Sequence, residues 1–311
     1  MEIIIVERER HIIPDDLRAL FPQHKIQAFK TAAEAVPHAG EAQVLIALAH
    51  NVSDELIAAM PKLRYVCSLS AGVDHLWTCK SLKPSVRVTN GRGIHGPQMA
   101  ELAFLFMIGL SRNYLRMEDN RSDHVWERWA QPVLVGKTAL IVGIGAISEA
   151  VAARCKAFEM NVVGVSDART QSPGFDKIVP RAKLLEAAAA CDFMIVLVPL
   201  DERTHHMINA DVFKAMPKSS FVINLARGDV IDEDAMIAAL QSGEIAGAGL
   251  DVFHTEPLPK DHPFWGMKNV MISPRIGGMS DIYDKQILPV VEHNLICLQD
   301  GRLDDMRNIV R

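Results

Sequence analysis

The sequence predicts an α/β protein with two parallel-sheet domains. Ten short apolar runs, rich in β-branched residues, recur along the 311 residues. Most are separated by segments with apolar residues at helical spacing. The runs fall into two series, at 1–90 and 136–278, parted by a long apolar helix. Strands that alternate with helices read as βαβ units, whose sheets are parallel and covered on both faces. A chain of this length also exceeds one ordinary core and fits two domains of roughly 100–200 residues each.

The first series comprises strands at Ile3–Val6, Val44–Leu48, Tyr65–Cys67 and Val86–Val88, with a helix over Asp54–Met60. Met1–Glu7 reads as the first strand and not as a signal peptide, because it lacks a basic leading region and is followed by charges. A helix is expected over Gln98–Leu115, entered through Gly96-Pro97, where proline suits the first turn. A polar segment with two tryptophans, Arg112–Pro132, leads on to strands at Thr138–Val142, Asn161–Val165, Phe193–Val198, Phe221–Ile223, Ala246–Leu250 and Val270–Ile272. Ala146–Phe158 and Glu233–Leu240 read as helices between them, and Asp281–Leu298 as a closing helix.

Composition excludes several function classes. A formal net charge of −5 supplies no Lys/Arg stripe to neutralise phosphates, so no nucleic-acid partner is expected. The longest apolar run, Leu102–Leu110, is about half of the ~20 residues that span a bilayer, so no membrane partner is expected either. Five cysteines, Cys67, Cys79, Cys155, Cys191 and Cys297, are scattered and never spaced C-x-x-C, which fits buried thiols in a reducing cytoplasm. His205-His206 is adjacent and unaccompanied by a carboxylate cluster, so no metal site is expected.

Strand Thr138–Val142 runs into Gly143-Ile-Gly145-Ala146-Ile147-Ser148 and then a helix, the context that a dinucleotide fingerprint requires. Gly143 allows the tight turn, and Gly145 lets the backbone approach a pyrophosphate at the positive helix N-terminus. Ser148 stands where a third glycine is usual, and its small side chain asks only a slight adjustment of the helix–strand packing. The next strand ends in Val165-Ser166-Asp167-Ala168-Arg169. Ser166 and Arg169 would accept a ribose 2′-phosphate and Asp167 would repel it, so NAD or NADP fits, with a slight lean to NAD.

Three further loops follow apolar runs: Asn224-Leu-Ala226-Arg227-Gly228, Asp251-Val-Phe-His-Thr-Glu256-Pro257 and Ser273-Pro-Arg275-Ile-Gly277-Gly278. Catalytic residues of open α/β sheets sit on loops just past such strands. Together with the glycine turn, these motifs resemble the D-isomer-specific 2-hydroxyacid dehydrogenases, over essentially the whole chain. The resemblance implies two doubly wound parallel-sheet domains with a cleft between them. One would be a discontinuous flavodoxin-like substrate domain (1–97 plus 285–311), the other a Rossmann NAD(P)-binding domain (98–284). It implies hydride transfer between a nicotinamide and a small 2-hydroxy or 2-keto acid, of the D-2-hydroxyacid dehydrogenase or glyoxylate/hydroxypyruvate reductase type. It also implies a homodimer through the cofactor domain, with Trp126 and Trp129 in the arm; packing of that arm on its own helix is the alternative.

Site residues follow from the same resemblance. Pro199 and Thr204 would line the adenosine side, Asp251 would hold the carboxamide, and Ala226 and Gly277 would approach the nicotinamide ring. Backbone N–H groups around Ala71 and Gly72, in the loop Ser70-Ala-Gly-Val-Asp74, would receive the substrate carboxylate. Arg227 would grip that carboxylate and polarise the carbonyl, and Glu256 would pair with the acid/base residue. In the family that residue is a histidine, and here the position is Arg275. A guanidinium keeps its protons and cannot serve as a general acid near neutral pH. Three alternatives stand: His95 or His254 supplies the proton; Arg275 stabilises the developing alkoxide while water supplies it; or the chain is a silent dinucleotide-binding sensor. Arg92, near His95, would meet a second anionic group or remain solvated.

Overall fold

The computed structural model describes residues 1–7 and 14–311. In chain order the elements are β1 (Glu2–Val6), α1 (Pro14–Leu20), β2 (Lys25–Phe29), α2 (Ala32–Ala35), β3 (Val44–Ala47), α3 (Asp54–Ala58), β4 (Tyr65–Ser68) and β5 (Arg87–Thr89). There follow α4 (Gly96–Ser111), α5 (Tyr114–Ser122), β6 (Thr138–Val142), α6 (Ala146–Ala157), β7 (Asn161–Val165), β8 (Lys177–Val179), α7 (Leu184–Ala188) and β9 (Phe193–Val196). The chain ends with α8 (Ala210–Ala215), β10 (Phe221–Asn224), α9 (Glu233–Ser242), β11 (Gly247–Leu250), β12 (Val270–Ile272) and α10 (Tyr283–Gln299). It divides into two units, Met1–His95 with Ser280–Arg311, and Gly96–Met279.

The first unit is built on a five-stranded parallel sheet ordered β2-β1-β3-β4-β5. Because strand side chains alternate faces, β1 feeds two cores. Ile4 and Val6 join Leu45, Val66 and Val88 on one face. Ile3 and Ile5 join Ile46, Tyr65 and Cys67 on the other, which α10 covers with Ile287, Val291 and Leu295. A run with apolar residues on both faces is the mark of a doubly covered parallel strand. The chain's last residues return antiparallel along β5, where the Val88 amide donates to the Arg311 carbonyl at 2.7 Å.

The second unit carries a seven-stranded parallel sheet ordered β12-β11-β10-β9-β6-β7-β8. That is the doubly wound arrangement, with its reversal between β6 and β9. One face packs Ala139, Ile141, Phe193 and Ile195 against α4 and α6. The opposite face packs Leu140, Val142, Val222 and Leu250 with residues of α7, α8 and α9. Two parallel-sheet α/β domains are therefore as the alternation predicts.

Three local features differ from the reading of the sequence. Strands β2 and β8 were not legible, because both are edge strands and neither is apolar throughout. The long helix ends at Ser111 and not at 115, since Asn113 takes the left-handed conformation at φ 53° and starts a new direction. The polar segment after it contains α5, which has no buried residue and so lacks the apolar periodicity that identifies a helix.

Candidate active site

All the candidate dinucleotide and catalytic motifs of the second unit leave the carboxyl edge of its one sheet, after β6, β7, β9, β10, β11 and β12. At the first of them, Gly143 has φ +95°, and a Cβ there would meet the Val198 backbone nitrogen at 2.8 Å. Only glycine makes this turn. Ser148 does more than fill the third-glycine position, since its hydroxyl donates to the Gly143 carbonyl at 2.6 Å and pins the turn to α6. A Cβ on Gly145 would meet nothing within 4 Å, so the space above it is open. The first N–H groups of α6, from Ala146 and Ile147 onward, have no partner within the helix and face that end. An open cradle with a positive helix terminus fits a pyrophosphate.

After β7, the Ser166 hydroxyl accepts from the amides of Ala168 and Arg169 at 3.1 and 3.2 Å and closes the turn. The Asp167 carboxylate is engaged by Arg181, through its backbone amide at 2.8 Å and its guanidinium at 3.4 Å. Arg169 reaches back to Glu149 on α6 at 2.7 Å. After β9, the Thr204 hydroxyl donates to the Pro199 carbonyl at 2.7 Å and accepts from the Asp201 amide at 2.7 Å. Thr204 therefore fixes the shape of its own loop.

The loops after β10, β11 and β12 are held by buried polar residues at the strand ends. The Asn224 side chain accepts from the Ala226 amide at 3.0 Å and donates to the Arg227 carbonyl at 3.0 Å, so it sets the turn that presents Arg227. Arg227 also donates to the Ala226 carbonyl at 2.7 Å. Asp251, 3% exposed, accepts from Ser273 Oγ at 2.5 Å and from the amides of Ile276 and Gly277 at 2.9 and 3.1 Å. Burial pushes its carboxyl up, against the pull of these donors. Its first task is thus to shape the Ser273–Gly277 loop. Within that loop Arg275 has φ +56°, and its guanidinium bonds the Glu256 carboxylate. The other oxygen of Glu256 accepts from the Phe253 amide at 3.1 Å. Arg275 and Glu256 are therefore joined.

His254, two residues before Glu256, turns elsewhere: its Nδ1 lies 2.5 Å from Asp229 Oδ1. That carboxylate holds the imidazole above its ordinary pKa.

In the first unit, Ser70 caps the loop after β4, donating from Oγ to the Gly72 carbonyl at 2.8 Å. Asn90 Nδ2 donates to the Ala71 carbonyl at 2.6 Å, and Tyr283 to that of Leu69. With these carbonyls held from one side, neither the Ala71 nor the Gly72 amide donates to a protein atom among the described residues. His95 is buried, its ring 5.7 Å from that of Tyr283. Arg92 is exposed.

The sequence pattern gives no role to Asn224, Ser273 or Asp229, and none to the Ser148 hydroxyl. The usable signal for the first two is a polar residue closing an apolar run, where burial demands a hydrogen-bonded partner.

Comparison with known proteins agrees with this construction. Residues 104–277 match the NAD binding domain, and residues 4–173 the catalytic domain, of the D-isomer specific 2-hydroxyacid dehydrogenases. A glyoxylate reductase of Korarchaeum cryptofilum is 33% identical over 267 residues, 82% of this chain and 79% of that one. A D-isomer specific 2-hydroxyacid dehydrogenase family protein from Aeromonas salmonicida is 28% identical with a TM-score of 0.89, covering 100% of this chain and 98% of the other. An NADPH-dependent glyoxylate/hydroxypyruvate reductase from Sinorhizobium meliloti, in complex with NADP and sulfate, is 25% identical with a TM-score of 0.85 over 99% of this chain and 98% of that one. The sequence motifs, the two parallel sheets and these matches together show that the chain belongs to the D-isomer specific 2-hydroxyacid dehydrogenases, nicotinamide-dependent oxidoreductases that transfer hydride between the cofactor and a 2-hydroxy or 2-keto acid.

Proposed function

We propose that this chain reduces a small 2-keto acid of the glyoxylate or hydroxypyruvate kind to the 2-hydroxy acid, with NADPH preferred. The observation that carries the reading is the succession of the Arg227 loop, the Glu256 loop and the Arg275 loop on neighbouring strands of the sheet that also bears the glycine cradle. The bound cofactor would supply the hydride. Gly143, Gly145 and the N-terminus of α6 would hold its pyrophosphate, and Ala226 and Gly277 would approach the nicotinamide. Ala71 and Gly72 would take the substrate carboxylate on their amides, and Arg227 would align the carboxylate and polarise the 2-keto oxygen.

Arg275 takes the electrostatic role. One of its five N–H groups is committed to Glu256, which leaves others to stabilise an oxyanion. Its protons stay in place, so water would deliver the proton once the alkoxide has formed. His254 is set aside as the direct donor because its ring is committed to Asp229.

The coenzyme preference rests on Asp167. Counted as an unpaired charge, it weighs for NAD. Its pairing with Arg181 offsets the repulsion of a 2′-phosphate, and Arg181 also bonds the Arg203 carbonyl, which ties the loops after β7 and β9 together. The Sinorhizobium relative with bound NADP supports the same preference.

The deciding experiment is reduction of glyoxylate, hydroxypyruvate, pyruvate and phenylpyruvate with NADH and NADPH, using wild type, Arg275→His and Arg275→Met. The wild type should turn over with NADPH favoured, and the methionine variant should lose about 100- to 1000-fold in kcat, the usual cost of one oxyanion donor. A wild type that binds NADPH but is silent, and gains activity only as Arg275→His, would overturn the reading in favour of a dinucleotide sensor.

We also propose a homodimer through the second unit. Leu105 and Ile108 on α4, and Val133 and Val135 beyond α5, are exposed apolar residues, and Trp126 is 94% exposed. Trp129, by contrast, lies beneath the Arg116 guanidinium, 4.5 Å from the ring centre. Sedimentation should give twice the 34.4 kDa of one chain, and Trp126→Asp with Leu105→Asp should give the monomer. Five free cysteines, all buried, support a reducing compartment.

A further inference from the structure

We propose that His254 is a positioning residue for the reductase site, and that with Asp229 it forms a proton-dependent staple between the loop carrying Arg227 and the loop carrying Glu256. The inference rests on the reductase reading above, because it assigns those two residues to the chemistry.

The two loops touch through backbone. A Cβ built on Gly228 would lie 2.0 Å from the Phe253 carbonyl carbon and 2.3 Å from the His254 nitrogen. Beside this contact, Asp229 presents Oδ1 to His254 Nδ1 at 2.5 Å. The His254 amide donates to Glu233 Oε2 at 3.2 Å. Glu233, in the first turn of α9, holds a second histidine of the same segment, with His262 Nε2 3.1 Å from Oε1. From His254 the connection continues inward, since the Phe253 amide donates to Glu256, which bonds Arg275. A shift at His254 therefore has a short path to both guanidiniums.

His254 differs from the buried links of that path. Its side chain is 63% exposed, so it exchanges protons freely with solvent. The charged groups that face it are Asp229 from the turn after β10, and Glu233 and Asp234 from α9. All three are acidic and favour the imidazolium. His262 shares Glu233 and competes for that carboxylate. Because the folded-state pKa is raised, the staple is complete below that pKa and is lost as pH rises through it. An Asp229 carboxylate facing a neutral imidazole keeps the hydrogen bond at most and loses the charge pair. With His254 this exposed, solvent screening keeps the effect modest.

The test measures kcat and KM for 2-keto acid reduction from pH 5.5 to 9.5 on wild type, His254→Asn and Asp229→Asn, together with amide exchange at Phe253 in each. In the wild type, kcat should fall by about two- to fivefold across the alkaline limb, the scale of an exposed ion pair. The protection factor of the Phe253 amide, its exchange relative to the intrinsic base-catalysed rate at each pH, should fall in the same pH range. Both variants should remove that limb and show the wild type's alkaline kcat throughout, with KM for NADPH unchanged. An alkaline limb that persists in both variants, or a Phe253 protection factor that falls with pH in them as in wild type, would overturn the proposal. The exchange measurement does not need turnover. A pH-dependent Phe253 in an inactive protein would sink the reductase reading while leaving the staple standing.

Discussion

Replacement of Arg227 by glutamine should lower kcat/KM for 2-keto acid reduction by about a thousandfold or more. In the proposed reaction the residue is asked for two things at once. It must bind the substrate carboxylate, and it must stabilise charge that grows on the 2-keto oxygen only as hydride arrives. The first is common to ground and transition states and appears in KM; the second appears in kcat. Lysine should not rescue, because a compact ammonium cannot fork between two oxygens as a planar guanidinium can. The Asn224 clamp on this turn uses backbone atoms of Ala226 and Arg227, so the loop should keep its shape in both variants. Coenzyme affinity, measured by quenching of protein fluorescence, should stay within about twofold of wild type, as expected for a change away from the glycine cradle. A glutamine variant that retains a tenth of wild-type kcat/KM would remove Arg227 from the chemistry.

The sequence displayed the sheet interiors and the apolar edges β5 and β12, and hid the edges β2 and β8. Strands such as Val44–Ala47 and Phe193–Val196 are apolar throughout because helices cover both faces, and the run alone identifies them. Lys25–Phe29 mixes polar with apolar residues at an edge, and Lys177–Val179 is three residues long. Neither rises above the pattern of a loop. The loops proposed to be catalytic were legible for a related reason: each follows an apolar run, and loops past the carboxyl ends of such strands are where an open α/β sheet places its site. The pairings inside them were not legible. Asp251 meets Ser273, Ile276 and Gly277, and His254 meets Asp229, at separations of more than twenty residues. Such contacts are set by which strands are neighbours and by their register, which local pattern does not encode. The role of Asp251 is the instructive case. Resemblance assigns it a contact with the cofactor, and the structure adds a second task that resemblance does not name: its oxygens accept from the loop that presents Arg275.

Gly228→Ala should cost about 100-fold in rate, although it removes no functional group. The ideal Cβ position is 2.0 Å from the Phe253 carbonyl carbon and 2.1 Å from its oxygen. Those are backbone atoms, so no rotamer change relieves the overlap and one loop has to move away from the other. The displacement separates Arg227 from the Glu256–Arg275 pair, whose geometry depends on Phe253 through its bond to Glu256. Overpacking of this kind costs about 1–3 kcal/mol of stability, and misplacement of the reacting groups by about an ångström costs about 100-fold in rate. The two effects separate experimentally. Thermal unfolding should show a lower but still cooperative transition, and NADPH should still bind, because the Gly143–Ser148 turn leaves a different strand. If the alanine variant instead reduces 2-keto acids within a few fold of wild type, the loops after β10 and β11 do not need this contact, and the staple at His254 would have nothing to hold in place.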